Sequence, residues 1–171
     1  MLTDGNHHLR AMEPADAEAM HRWENQPAEW WVGATMGPWS LAAMEAFARG
    51  EQDVWATGQT RLILTHLTTP VGAFDLYDIN PRNGTAGVGV LIDAAHRGQG
   101  HAATGLRLLH NYAFDHLGLA ILRADVPAAN PASTRLFARA GYTQRGTLPG
   151  WVRRGADRED IAIFTLKNPA L

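Results

Sequence analysis

The stretch that decides the fold is Val88-Gly89-Val90-Leu91-Ile92 and, after four intervening residues, Arg97-Gly98-Gln99-Gly100-His101-Ala102. The first is an apolar run that predicts a buried strand. The second is a glycine-rich turn. After it, apolar or small residues at Ala102, Leu106, Leu109, Ala113 and Leu117 recur with the spacing of one helix face. A strand that breaks into such a turn and restarts as a helix leaves backbone N–H groups unpaired at the positive end of the helix dipole. That is a ready site for an anion such as a diphosphate. Gly98 and Gly100 remove the side chains that would hold a ligand off the backbone, and Arg97 adds a fixed positive charge. No Gly-Lys-Ser/Thr follows and the three-glycine dinucleotide fingerprint is missing, so neither nucleotide loop is indicated.

Downstream, Gly118 stops the helix, Ile121 to Val126 reads as a buried strand, and Asn130-Pro131 opens a second helix with an N-cap and a first-turn proline. That helix runs through Leu136 and Phe137 to Gly141, and Tyr142 begins an extended segment. Upstream, His8 to Met12 predicts a short strand. Glu13-Pro14-Ala15-Asp16 opens a helix to about Asn25, Ala28 to Ser40 is a loop carrying Trp30, Trp31 and Trp39, and Leu41 to Arg49 is a second helix. Arg61 to His66 and Val71 to Ile79 read as strands joined at Thr69-Pro70, with a further turn at Asn80 to Gly84. Thr147 to Arg153 and Asp160 to Leu166 flank a charged, solvent-facing hairpin near Gly155, whose edge strand is able to pair in a homodimer.

The 171 residues, 46% of them hydrophobic, suit a single domain, residues 1–171, with a proper core. A net charge of −2 gives no basic footprint for nucleic acid. With no cysteine, thiolate catalysis and cysteine-ligated zinc are excluded. Eight histidines do not form a His-Glu-x-x-His pattern, no metal is expected, and His7-His8 reads as a solvated pair. No apolar run is long enough for a membrane span and no secretory pattern opens the chain, so the expected location is cytoplasmic.

Arg97, Gly100 and Ala102 match the acetyl-CoA signature of the GCN5-related N-acetyltransferase superfamily. Asn130, Phe137, Gly141 and Tyr142 match the family's later helix pattern. The chain resembles that superfamily firmly over about residues 70–167. Arg22-Trp23-Glu24-Asn25, Phe74 to Ile79 and Ala86 to Ala102 look most like its spermidine/diamine and ribosomal-protein acetyltransferase branches. The resemblance implies an α/β fold, with a mixed, mostly antiparallel central sheet of six or seven strands and about four helices on both faces. It implies acetyl-CoA as co-substrate, held by Leu91, Ile92, Asp93, Arg97, Gly98, Gln99, Gly100, His101, Ala102, Asn130, Ser133 and Phe137.

The implied reaction is direct acetyl transfer to a primary amine in a ternary complex, with a polyamine or other small amine as acceptor. A protein N-terminal or lysine acetyltransferase and a non-catalytic acyl-CoA sensor are the alternatives. An alkyl amine has a pKa of about 10.4, so a proton must leave it before attack. Asp75 is the expected base, since it is flanked by apolar residues, whereas Asp78 lies near a turn. The backbone N–H of Val90 or Leu91 is the expected oxyanion donor, with Leu91 preferred. Glu24, Glu29, Trp30, Asp75 and Tyr77 are expected to line the acceptor site, where a tryptophan face adds roughly 0.5–2 kcal/mol to cation binding. Two positions depart from the family: Phe137 stands where a tyrosine usually serves as general acid, and Gly87 where a glutamate often stands. Ser133 and Tyr142 are the nearest hydroxyls, Tyr142 being expected to pack in its strand. Gly87 and Gly89 in this strand either admit the close approach of a neighbouring helix or, as the resemblance implies, form a bulge that splays this strand from the next and admits the pantetheine arm around Leu91 and Asp93.

Overall fold

A computed structural model describes residues 2–31 and 37–171. Its elements in chain order are β1 (Leu2–Asp4), β2 (His7–Ala11), α1 (Ala17–Glu24), α2 (Leu41–Ala48), α3 (Val54–Thr57), β3 (Thr60–His66), β4 (Thr69–Asn80), β5 (Thr85–Ile92), α4 (His101–Asn111), β6 (Ile121–Pro127), α5 (Pro131–Arg139), β7 (Thr143–Arg154) and β8 (Asp157–Lys167). The strands form one eight-stranded sheet ordered β1-β2-β3-β4-β5-β6-β8-β7, in which only the β5/β6 pair is parallel. One strand exceeds the expected six or seven. It comes from Leu2–Asp4, which turns at Gly5 (φ +55°) and pairs Leu2 with Leu9.

Alternation along β3 and β4 sorts the core into two faces. Ile63 and Ala73 pack with Met20 and Trp23 of α1 and Met44 of α2. Leu62, Leu64, Phe74 and Leu76 face the other way, against Leu106 and Leu109 of α4 and Phe137 of α5. The sheet is therefore covered on both sides. Helix α4 lies close on its face because Gly105 has no side chain: a Cβ there would stand 2.1 Å from Phe74 Cζ. Past Asn111 the helix widens into a π turn, Tyr112–His116, and Gly118 (φ +68°) ends it.

Caps follow the predicted chemistry. Ser40 accepts from the Ala43 N–H at 3.1 Å at the start of α2, and Asn130 Oδ1 accepts from the Ser133 N–H at 3.1 Å at the start of α5. The β3–β4 connection is corrected by two residues. Thr69 and Pro70 already belong to β4, and the turn is made at Leu67 (φ +56°).

The feature that makes a site is the divergence of β5 from β6. Their parallel pairing covers only Thr85, Ala86 and Gly87 against Ile121, Leu122 and Arg123, although β5 runs on to Ile92 and β6 to Pro127. The expected splay is present, but not its expected cause. Gly87 and Gly89 stay in register opposite Tyr77 and Asp75; the irregularity lies on β4 between Tyr77 and Asn80, where Asp78 has φ +50°. The two glycines make room for their β4 neighbours instead. A Cβ at Gly87 would lie 2.3 Å from the Tyr77 ring, and one at Gly89 3.2 Å from Asp75 Oδ2.

Candidate active site

The splay opens into a cleft of about 1830 Å³ that runs from the start of α4, past the ends of β5 and β6, to α1 and the residues that follow it. Of the residues expected in the site, Glu24, Glu29, Trp30, Asp75, Tyr77, Leu91, Ile92, Asp93, Arg97, Gly98, Gly100, His101, Ala102, Asn130, Ser133 and Phe137 all line it. Gln99 does not, and its side-chain amide turns back to the Ala95 carbonyl at 3.4 Å. Residues 32–36 of the tryptophan-rich loop lie outside the described residues.

At the α4 end, Gly98 and Gly100 adopt φ +75° and +84°, the left-handed conformation that the turn requires. The Ala103 and Thr104 N–H groups return to the Gly100 carbonyl at 3.1 and 3.2 Å. Those of Gly98, Gln99, Gly100, His101 and Ala102 make no hydrogen bond to any described residue. Five successive free donors at a helix start form a cradle for phosphate oxygens, and no Cβ from Gly98 or Gly100 intrudes on it. The chain therefore fits the diphosphate of a CoA thioester. Arg97 does not yet point at that cradle: its Nε donates to the Ile92 carbonyl at 3.1 Å and Nη1 to Glu29 Oε1 at 3.0 Å. Both side chains are about half exposed, at 48% and 40%, so the ion pair is weak and displaceable.

His101 contributes its backbone alone. Its ring is buried away from solvent, with Nδ1 2.8 Å from His7 Nε2 and its centroid 5.0 Å from that of His66. The expectation that His7 is solvated is thus corrected: it packs 4.8 Å from His66, and burial with the neighbouring imidazoles lowers its pKa, as it does for His101. Among the described residues no group of three or more His, Cys, Asp or Glu is arranged to hold a metal ion.

Along β5 the hydrogen-bond phase decides which backbone groups face the cleft. The Asp93 N–H donates to the Val71 carbonyl at 3.0 Å, and its own carbonyl accepts from His96 at 2.8 Å. With that register, Gly87, Gly89 and Leu91 turn their backbone groups toward β4, and Val88, Val90 and Ile92 turn theirs into the splay. Leu91 and Asp93 are therefore replaced by Val90 and Ile92 as the backbone able to meet a pantetheine or an oxyanion. Leu91 presents its side chain to the α1 core, and Asp93 caps the short helical turn Ala94–His96 through Ala95 N–H at 3.1 Å. Burial works to raise the Asp93 pKa, but the Trp23 indole, the Ala95 N–H, His96 and Arg22 outweigh it and hold the carboxyl below its ordinary range.

The far end of the cleft holds a residue that sequence reasoning missed. Arg61 of β3 donates through Nε and Nη2 to Asp75 Oδ1 and Oδ2 at 2.7 and 2.9 Å, and through Nη1 to Glu24 Oε1 at 2.6 Å. Although burial works against its charge, the two carboxylates drive the guanidinium pKa further above its ordinary value. Both Asp75 oxygens are engaged, so Asp75 is not the free base that its sequence context suggested. Of the four carboxylate oxygens in this triad, Glu24 Oε2 alone has no donor among the described residues. The triad carries a net charge of −1, one guanidinium against two carboxylates.

The neighbouring aromatic residues are also committed. Trp30 Nε1 donates to the Glu24 carbonyl at 2.7 Å, and the Arg154 guanidinium sits 4.2 Å from the centroid of Trp31. The charged hairpin is thus not simply solvated, since Arg154 closes onto the tryptophan loop. Asp78 is exposed and does not line the cleft. Phe137 is buried edge-on against Tyr142, centroids 5.0 Å apart, and Tyr142 spends its hydroxyl on His110 Nε2 at 3.1 Å.

The acetyltransferase (GNAT) domain model matches residues 7–143. The chain belongs to this family. A probable N-acetyltransferase of Bacillus subtilis, YjcK, is 33% identical over 85 residues, a match that spans 50% of this chain and 47% of that protein. The chain thus matches about half the length of this curated relative. Spermidine N-acetyltransferase of Vibrio cholerae, solved with CoA and spermine, superposes with a TM-score of 0.88 at 20% identity, over 96% of this chain and 97% of that one. A dodecameric structure of the same Vibrio enzyme superposes at 0.81, again at 20% identity, covering 96% and 95%. At this identity the likeness is one of fold. Among the described residues no helix is long and apolar enough to cross a membrane.

Proposed function

We propose that the chain transfers the acetyl group of acetyl-CoA to a primary amine of a small cationic molecule, a polyamine or a related amine. The observation that carries this reading is the polarity of the cleft. One end offers the free N–H groups of Gly98 to Ala102, and the other ends in the net-negative Glu24–Arg61–Asp75 triad. An anionic donor and a cationic acceptor are drawn to opposite ends, and β5 lies between them.

In this reading the Gly98–Ala102 cradle holds the diphosphate, with Arg97 free to exchange Glu29 for phosphate. Asn130 and Ser133 border the arm from the start of α5, and Arg135 and Arg139, which also line the cleft, add positive charge. Val90 and Ile92 pair with the pantetheine, and the Val90 N–H meets the developing oxyanion. Acetyl-CoA supplies the activated acyl group; the protein aligns it and removes the proton from the amine. Asp75 and Arg61 set the charge of the acceptor end, and Glu24 Oε2 accepts the amine proton directly or through water. The outer edge of β7, with Trp151 64% exposed, supports pairing between two copies.

Thiol release from acetyl-CoA, measured against polyamines, amino acids and N-terminal peptides, tests the proposal. Release that depends on polyamines supports it. Release with peptides alone would move the acceptor to a protein N-terminus or lysine. Tight acetyl-CoA binding without release on any amine would make the domain a sensor.

A further inference from the structure

Resting on the reading of the cleft as an acetyl-transfer site, we propose that Tyr77 is the catalytic residue that meets the leaving sulfur. Its hydroxyl donates a hydrogen bond to the thiolate as CoA departs, a service that Phe137 cannot supply.

The position of the ring carries the argument. The β5/β6 pairing ends at Gly87 opposite Arg123, and beyond that pair the strands separate. Gly87 is thus the apex of the splay, and it has no side chain. The Tyr77 ring, reaching across from the paired position on β4, covers it: Cε2, Cζ and Cδ2 lie 2.3, 2.5 and 2.8 Å from where a Gly87 Cβ would stand. The carbon that bears the hydroxyl is therefore at the apex itself. Any acyl thioester whose arm follows the Val88, Val90 and Ile92 backbone down the splay brings its reacting end toward this ring. Two residues back along β4, on the same face, lies Asp75 of the acceptor triad.

Among the described residues the cleft is lined by three hydroxyl side chains, Thr60, Tyr77 and Ser133. Thr60 lies at the start of β3, two strands from the splay, and Ser133 in the first turn of α5. The Tyr77 hydroxyl makes no hydrogen bond to any described residue although the ring is half-buried and borders the cleft. Burial foremost, and the charge of Asp125 behind it, push its pKa up to about 12. The group therefore keeps its proton at neutral pH and acts as a donor.

The amine lone pair forms the C–N bond and the carbonyl pair moves to oxygen. That pair then returns, the C–S bond breaks, and its electrons go to sulfur, where the Tyr77 O–H stabilises the charge. The amine proton leaves through Glu24 to water, and the thiolate takes one proton from water on release, so no oxidant or further reactant is needed.

The test compares Tyr77→Phe and Ser133→Ala with the wild type, using whichever amine of the panel turns over fastest and following acetyl-CoA affinity by calorimetry. Tyr77→Phe keeps the ring over Gly87. The expected result is a kcat lowered about 100-fold, as for loss of one transition-state donor, with acetyl-CoA Kd and melting temperature nearly unchanged. The loss should be constant from pH 6.5 to 9, because the hydroxyl does not titrate there. A Tyr77→Phe kcat within twofold of wild type, or a kcat loss larger in Ser133→Ala than in Tyr77→Phe, overturns the assignment. A preference for a non-polyamine acceptor would refute the polyamine reading and leave this comparison intact; no turnover of any amine would refute both.

Discussion

Acidification should weaken this fold through His110 in particular. The side chain sits on α4 with Nε2 3.1 Å from the Tyr142 hydroxyl, and its ring stacks on Phe114 with centroids 6.0 Å apart. Burial lowers its pKa to about 4 and pushes that of the Tyr142 hydroxyl up, so the contact joins a neutral imidazole to a neutral phenol. An unfolded histidine titrates near 6.5. Above that pH neither state carries the proton and His110 costs nothing. Between 6.5 and 4 the unfolded chain binds a proton that the folded one refuses, so stability falls as pH falls. Below 4 both states are protonated and the loss levels off. The gap sets a ceiling of about 3 kcal/mol, of which about 2 kcal/mol is lost by pH 5. Urea unfolding at pH 7.5 and pH 5 measures it, with His110→Gln as the reference because glutamine stays neutral and still reaches a hydroxyl. His7 and His101 titrate in both proteins alike, so the difference between the two losses isolates His110. Wild type should lose about 2 kcal/mol more than the variant between the two pH values. Equal losses would falsify the account of His110 as a buried neutral imidazole.

Other perturbations follow from the same geometry. Gly105→Ala places a methyl group into the Phe74 ring, and overpacking of about 1–3 kcal/mol exceeds the gain in helix propensity, so calorimetry should show a melting temperature roughly 2–8 °C lower; an unchanged value would mean that α4 can rise at no cost. Arg61→Met leaves Glu24 and Asp75 without their cation and should cost about 3–5 kcal/mol in denaturant unfolding. Adding Glu24→Gln and Asp75→Asn should restore much of that stability, and failure to do so would show that packing, not charge, was lost. Gly100→Val has open space for its side chain but holds φ +84°, a strain of roughly 1–2 kcal/mol, and its branches enter the phosphate cradle. Acetyl-CoA affinity by calorimetry should fall at least tenfold, and unchanged affinity would remove the cradle assignment.

The parts of the site legible in sequence were those that a short window encodes. The unpaired N–H groups of Gly98 to Ala102 follow from two glycines and a helix start, and the Asn130 cap follows from Asn-Pro before an apolar periodicity. The error over Leu91 and Asp93 was one of phase. Their strand was correctly read, but whether odd or even residues face the splay depends on which pair bonds β4, and that is set by Asp93 on Val71. Asp75 was expected in the site for its apolar flanks, and it lines the cleft bonded to Arg61. Its partner Arg61 had no signal, since nothing near either residue says that β3 and β4 pair them side by side.

By itself the sequence determined most of the elements, though not β1 or α3, together with their caps, the left-handed glycine turn and hence the family, because each rests on backbone torsions and hydrogen bonds among residues a few positions apart. The tertiary structure alone decided what those elements do to one another. It brought Glu24, Arg61 and Asp75 into one ion-paired triad, laid the Tyr77 ring over Gly87, and gathered His7, His66 and His101 behind the glycine turn at the start of α4. Those contacts join residues 10 to 94 positions apart, and they exist only once strand register and helix packing have fixed which side chains share a face.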